Sequence, residues 1–183
     1  MTRLRIASLV AALFGAIAFA AAAHADSITV YASHAKPKPT DPVPVTFEKF
    51  TVKKAKFDPR KIEGGTATIE VDLASLKTDS AKRDAHLKSP DYLDAAKSGT
   101  MTIDIANVKK KADKTYTAEA TVMLKGLTTK FPVTFDVVDT TADSIHIKGE
   151  HSFTRKQVGV GKDGDDPVGP DLKVAIDLTL KNT

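Results

Sequence analysis

Four histidines follow the first 25 residues, at His34, His86, His146 and His151, and a metal centre is the first chemistry to test them for. Such a site needs several ligands converging on one point. His146 and His151 are five residues apart, so an unbroken strand puts them on opposite faces. Neither His-x-His nor His-Glu-x-x-His occurs, and the histidines read as surface or mouth residues. A Gly-x-Ser-x-Gly elbow is absent, and there is no Cys to act as a nucleophile, ligand or disulfide partner. Gly159-Val160-Gly161-Lys162-Asp163-Gly164 has a phosphate-loop look but lacks the Gly-Lys-Ser/Thr spacing and a helix pattern behind it. Asp163-Gly164-Asp165-Asp166 offers carboxylates to calcium without the remaining ligands at their required spacing. The sequence therefore assigns no catalytic residue, no metal and no protein-bound cofactor, and the expectation is a non-enzyme.

The polar residues that stand out are Arg83, Asp84, His86 and Arg155. The first three sit in a polar, helix-signalled insert, Leu76 to Asp94, within a chain that otherwise alternates like strands. Arg83 and Asp84 are read chiefly as anchors of that insert through charge-assisted hydrogen bonds, with contact to a ligand headgroup as the alternative. Arg155 shares the inward parity of Phe153 and needs a buried counter-charge, for which Asp84 is the candidate. Within the insert, Ser89, Pro90 and Asp91 suit the N-cap and first turn of a helix running from Pro90 to about Lys97 and ending near Gly99. A further helical turn is expected over Ala81 to Leu87. Leu87, Tyr92 and Leu93 would face inward as a lid.

Apolar residues recur at a period of two along the rest of the chain, the mark of strands with one buried face. Ile28, Val30 and Ala32 form the first run. Val43, Val45 and Phe47 begin the second, whose parity shifts to Phe50 and Val52 across a bend at Glu48-Lys49. Later inward sets are Ala67, Ile69, Val71 and Leu73, then Met101, Ile103 and Ile105, then Tyr116, Ala118, Ala120, Val122 and Leu124. Phe131, Val133, Phe135 and Val137 follow, then Ile145, Ile147 and Phe153, then Leu172, Val174, Ile176, Leu178 and Leu180. Turn signals fall at Asp58 to Gly65, Lys110 to Lys114, Lys125-Gly126, Asp139 to Asp143 and Gly159 to Pro170. The reading is all-β: an eight-stranded antiparallel lipocalin-like barrel with a short helical insert, a two-sheet sandwich being the competing architecture. A ligand in such a barrel would meet Phe47, Ile69, Val71, Leu73, Met101 and Ile103 from the earlier strands. It would meet Ala118, Ala120, Val122, Val133, Phe135, Ile145, Ile147, Phe153, Val174 and Ile176 from the later ones.

Residues 1–25 read as a signal peptide: Arg3 and Arg5, an apolar Ala-rich run, then Ala23-His24-Ala25. Cleavage before Asp26 would leave one domain, residues 26–183, exported to the periplasm and not membrane-spanning. That segment holds 25 basic and 23 acidic residues, interspersed, with one cluster at Lys109-Lys110-Lys111 and no Trp. No nucleic-acid partner is expected.

The core of the insert, Arg83-Asp84-x-His86-Leu87-x-Ser89-x-Asp91-Tyr92-Leu93-Asp94, resembles the signature of the YceI-like, polyisoprenoid-binding family. Supporting pieces are Leu73-x-x-Leu76-x-Thr78, Leu124-x-Gly126-Leu127-Thr128-x-x-Phe131-Pro132-Val133 and Gly149-x-x-x-Phe153-x-Arg155. The family's bulky aromatic after that Arg is replaced by Gln157-Val158-Gly159-Val160, and its aromatic-Pro after the insert by Ser98-Gly99. The resemblance implies a small secreted bacterial barrel holding a long apolar ligand such as a polyisoprenoid, quinone or fatty amphiphile. The partner would then be a lipid-like small molecule, with a homodimer as an open option. A stress-response or interaction protein with a filled barrel and no ligand is the alternative.

Overall fold

The computed structural model describes residues 25–34, 41–162 and 166–183. The expected signal segment, Pro37 and Pro39, and the first three residues of the Asp163 to Asp166 run lie outside the described residues, Ala25 excepted. Ten strands form one curled antiparallel sheet. They are β1 (Ser27–His34), β2 (Val43–Phe47), β3 (Phe50–Asp58), β4 (Lys61–Asp72), β5 (Leu76–Lys77), β6 (Thr100–Lys110), β7 (Thr115–Leu124), β8 (Leu127–Thr140), β9 (Ser144–Thr154) and β10 (Val168–Lys181). Two short helices, α1 (Ala81–Lys88) and α2 (Ala95–Ser98), lie in the insert between β5 and β6.

The ten strands come from eight runs of chain. Strands β2 and β3 are one run, broken where the inward parity passes from Phe47 to Phe50 across Glu48 and Lys49. The break is tied down by Ser75: its carbonyl accepts from the Glu48 N–H at 3.2 Å and its Oγ accepts from the Lys49 N–H at 3.0 Å. Strands β4 and β5 are likewise one run, bent through a 3-10 turn at Leu73–Ser75. The bend lets one run serve two neighbours, because β2 pairs with β1 while β3 pairs with β4. The sheet thereby closes on itself. At the far end of β10, Thr183 donates its N–H to Ala55 O at 3.0 Å, and Asn182 exchanges side-chain hydrogen bonds with the Phe57 backbone. Closure leaves few unpaired edges for another chain to join.

Local chemistry explains the turns. Lys125 and Gly126 both take positive φ, 52° and 78°, as a two-residue hairpin of the right twist requires. The turn expected over Asp58 to Gly65 is shorter than that: β4 begins at Lys61, and Asp58 Oδ1 closes the corner by accepting the Arg60 N–H at 2.8 Å. Gly65 sits inside β4 because a carbonyl of its own strand and a side chain of β3 crowd it. A Cβ there would stand 2.9 Å from Ile62 O and 3.3 Å from Phe57 Cβ.

The insert also departs from expectation. Its first helix is a full α1, capped by the Ser80 side chain. Ser89 starts no helix; it ends α1, donating its hydroxyl to His86 O at 2.7 Å. Residues 90–93 form a turn, and only Ala95–Ser98 is helical afterwards. Two backbone bonds wrap this turn against α1, Leu93 N–H to Leu87 O at 3.1 Å and Asp94 N–H to Ser89 O at 2.9 Å. The wrapped turn buries both Tyr92 and Leu93, at 2% and 9% exposure.

Candidate functional site

The inward faces of the strands enclose a chamber of about 250 Å³ rather than a closed core. Its lining is almost wholly apolar. Ile69, Met101, Ile103, Ala120, Val122, Val133, Phe135, Ile145, Ile147, Phe153, Val174 and Ile176 all line it, with Phe47 from β2. Leu87, Tyr92 and Leu93 of the insert close over one end. Small residues keep the space open. Ala120 and Ala67 face inward, and Gly149 has no room for a Cβ, which would stand 3.0 Å from Thr134 O.

Three of the expected contacts lie elsewhere. Val71 and Leu73 are completely buried, and Ala118 is buried in the wall; none of the three borders the chamber. Val71 and Leu73 approach the bend at Leu73–Ser75, where neighbouring side chains fill the space. The chamber also takes residues that period-two reading did not select. Phe57 and Ile62 flank the tight β3–β4 corner, Val108 lies near the end of β6, and Val158 and Val160 follow β9. Phe131, Leu172, Leu178 and Leu180 share the parity of selected neighbours and line it too. His151 is a lining residue as well, against the ring of Phe131 at 5.4 Å, and burial pushes its imidazole pKa down. His146 lies on the opposite face of β9, 2.5 Å from Asp177.

Of the four polar candidates, Arg155 alone borders the chamber. It is 6% exposed. Its counter-charge is Asp166 at 3.1 Å, and the expected pairing with Asp84 does not occur. Asp84 is satisfied locally, accepting from the Thr78 hydroxyl at 2.6 Å and the Thr78 N–H at 2.7 Å. The Thr78 hydroxyl is the main reason its carboxyl is held below the usual range, against the opposing effect of burial. The aspartate thus ties α1 to the chain just after β5, which is an anchoring role. Arg83 pairs with Asp79 at the surface, and exposed His86 lies edge-on to the Tyr92 ring, centroids 4.7 Å apart.

Asp166 is the central acceptor at the lidded end. Its Oδ1 takes the Tyr92 hydroxyl at 2.7 Å and the Val168 N–H at 2.8 Å. Its Oδ2 takes the Lys162 N–H at 2.8 Å and the Arg155 guanidinium. Burial alone would raise its pKa; the four donors outweigh that and keep it low. Tyr92 moves the other way: burial and the Asp166 carboxylate hold its phenol well above the ordinary tyrosine value, so its proton stays on. Arg155 also donates to Lys162 O at 3.0 Å and Val160 O at 3.3 Å. Its Nε is buried without an acceptor. Gly161, at φ 85°, makes room for the guanidinium, since a Cβ there would meet Arg155 Nη1 at 2.3 Å. Outer ties complete the closure: Lys125 Nζ donates to Tyr92 O at 2.6 Å, and Lys162 pairs with Asp91 at 2.8 Å. The sequence signal for Asp166 is Arg155 itself, a buried cation that must have an acid, although Asp166 stands in a run of loop carboxylates.

Among the described residues no three His, Asp or Glu side chains converge on a metal position, and no helix is long and apolar enough to cross a membrane.

Comparison with known proteins places these features. The family model described as YceI-like domain matches residues 19–180. A UPF0312 protein of Ectopseudomonas mendocina is 32% identical over 83 residues, 45% of this chain and 43% of that protein. A UPF0312 protein of Vibrio cholerae is 32% identical over 72 residues, 39% of this chain and 38% of that one. The aligned part thus spans less than half of these relatives. Among solved structures, BcnA of Burkholderia cenocepacia superposes with a TM-score of 0.75 at 18% identity, covering 85% of this chain and 96% of that one. A polyisoprenoid binding domain from Saccharophagus degradans, implicated in plant cell wall breakdown, gives 0.66 at 12% identity, covering 86% and 94%. The lipocalin-like fold is thereby the shared feature.

Proposed function

The chain belongs to the YceI-like family, and on that premise we propose that it is a non-enzymatic binding protein for a long apolar molecule held in the chamber. The observation that carries the reading is an almost wholly apolar chamber between the strands, with the buried Arg155–Asp166 ion pair at the end lined by the insert. An apolar chain entering such a space gains about 0.8 kcal/mol per buried methylene. The polyisoprenoid binding named for the Saccharophagus degradans domain supports a prenyl or similar chain as the occupant. We extend the proposal to the place of action: export to the periplasm, with residues 1–25 removed before Asp26.

Native mass spectrometry of the protein isolated from its own cells tests the binding. The expected result is a discrete adduct of lipid mass that dissociates on activation, and a mature mass beginning at Asp26. Recovery of ligand-free protein alone, with no uptake of added prenyl lipids, overturns the proposal.

A further inference from the structure

On the carrier reading above, a ligand needs a way into the chamber, and the barrel wall is not paired along its whole height. The ladder between β8 and β9 ends at Phe135↔Gly149, although β8 begins at Leu127 and β9 runs on to Thr154. Over this stretch each strand stays paired to its other neighbour, β8 to β7 as far as Leu127 and β9 to β10 as far as Thr154. Two strand edges therefore face each other across a seam that the ladder does not cross. The two sides meet again beyond it, where the Thr129 hydroxyl donates to Gln157 O at 2.7 Å and Leu127 lies against Gly159. The seam is thus a bounded window, roughly 20 Å tall at about 3.3 Å per residue.

Side chains fill this window. Phe131 on β8 meets His151 and Phe153 on β9, with ring centroids 5.4 and 5.7 Å away. All three rings border the chamber, and His151 and Phe153 are partly exposed. Where the ladder stops, the chamber reaches the outer surface. Thr134 and Glu150 have outward parity yet border the chamber, and with Phe135 and Gly149 they also line an open groove on the outer face. Parting the rings costs apolar contacts, whereas parting two paired strands breaks a run of backbone hydrogen bonds. We propose that an apolar ligand enters and leaves the chamber sideways through this window, with Phe131, His151 and Phe153 as the side chains that part. The β7–β8 hairpin frames the top of the window, and its Lys125 holds the insert through Tyr92 O, so loosening that tie loosens the frame too. The ladder between β4 and β6 also stops short, at Ala67↔Ile105, and that seam is the rival route.

The chain has no Cys, so an introduced pair can be joined without side reactions. Pro132→Cys with Ser152→Cys places one thiol on an exposed residue at each side of the window, and a short bis-methanethiosulfonate reagent links them reversibly. Stopped-flow fluorescence with parinaric acid, a fluorescent polyene fatty acid, reads uptake and release. Linking should slow both by about ten-fold or more while the dissociation constant stays nearly the same, and reductant should restore them. Phe153→Leu, which thins the ring cluster without a linker, should speed uptake and release together; a ring that only contacted the ligand would change release alone. The same linker across the rival seam, in Thr66→Cys with Ala106→Cys, should leave the rates as they were. Unchanged rates in the window-linked protein, its linkage verified by mass, or slowing only in the rival pair, overturns the lateral route and leaves the carrier reading intact. No uptake of the probe by the unmodified protein overturns both.

Discussion

At the scale of single residues, two buried aspartates divide the work that the sequence suggested for one. Arg155 was legible as a buried cation from its parity with Phe153, but its partner was not. Sequence spacing does not show that Thr78, six residues before Asp84, satisfies that carboxylate locally. The acid left for Arg155 is Asp166. Removing one member of this pair strands the other charge: Arg155→Met should lower stability by about 3–5 kcal/mol, while Arg155→Met with Asp166→Leu should recover most of it. Chemical denaturation of the three proteins measures this. Asp84 gives a pH signature. Its pKa is depressed on folding, so its contribution is present above the unfolded value near 3.8 and is lost as pH falls through the lower folded value. Melting temperature should therefore drop less on acidification in Asp84→Asn than in the parent, although the variant starts lower at neutral pH. Parallel acid slopes for the two would show that Asp84 does not carry the effect.

At the scale of elements, alternation located most strands because it follows from one buried face, whereas corners and lids answer to contacts that no local pattern encodes. Gly64 and Gly65 look like a loop, yet they lie in β4, where Gly65 fits between Ile62 O of its own strand and Phe57 Cβ of β3. Gly65→Ala would push a methyl to 2.9 Å from Ile62 O, and the hairpin must shift. The expected loss is about 1–3 kcal/mol, read as a fall of roughly 2–12 °C in melting temperature for a domain of this size. The insert is legible as helical but not in its folding back, because the backbone bonds that Leu93 and Asp94 make to Leu87 and Ser89 replace the straight helix that Ser89-Pro90-Asp91 favours. Its hold on the barrel comes partly from Lys125, at the tip of the β7–β8 hairpin, donating to Tyr92 O. Lys125→Met removes this single partly buried tie and keeps the apolar stem of the side chain. Ligand release measured by stopped-flow displacement of a fluorescent fatty probe should accelerate several-fold with the melting temperature nearly unchanged. An unaltered release rate would mean that the insert does not gate the chamber.

At the scale of the molecule, the sequence specifies an apolar interior, but whether that interior is full depends on how far apart opposite walls stand. Ala118 and Ala120 show why parity alone could not decide this. They are two residues apart on β7, both inward and both buried, at 7% and 5% exposure. Ala120 borders the chamber, paired across to Ile105 and Phe131, whereas Ala118 packs into the wall beside Val133 and borders none of it. Enlarging the two should therefore have opposite consequences. Ala118→Leu adds volume where atoms already meet, and overpacking of that kind costs about 1–3 kcal/mol. Ala120→Leu adds the same volume beside open space, so its extra methyl groups find apolar neighbours and stability is kept or slightly raised. The price falls on function: the added side chain occupies room that a ligand chain needs, so lipid uptake should fall sharply in Ala120→Leu. In Ala118→Leu, binding should persist wherever the protein remains folded. Thermal unfolding and titration with a C10 chain, run on both variants, separate the two effects. Equal destabilisation by both substitutions would mean that the interior behaves as a filled core, and undiminished uptake by Ala120→Leu would place the ligand outside this chamber.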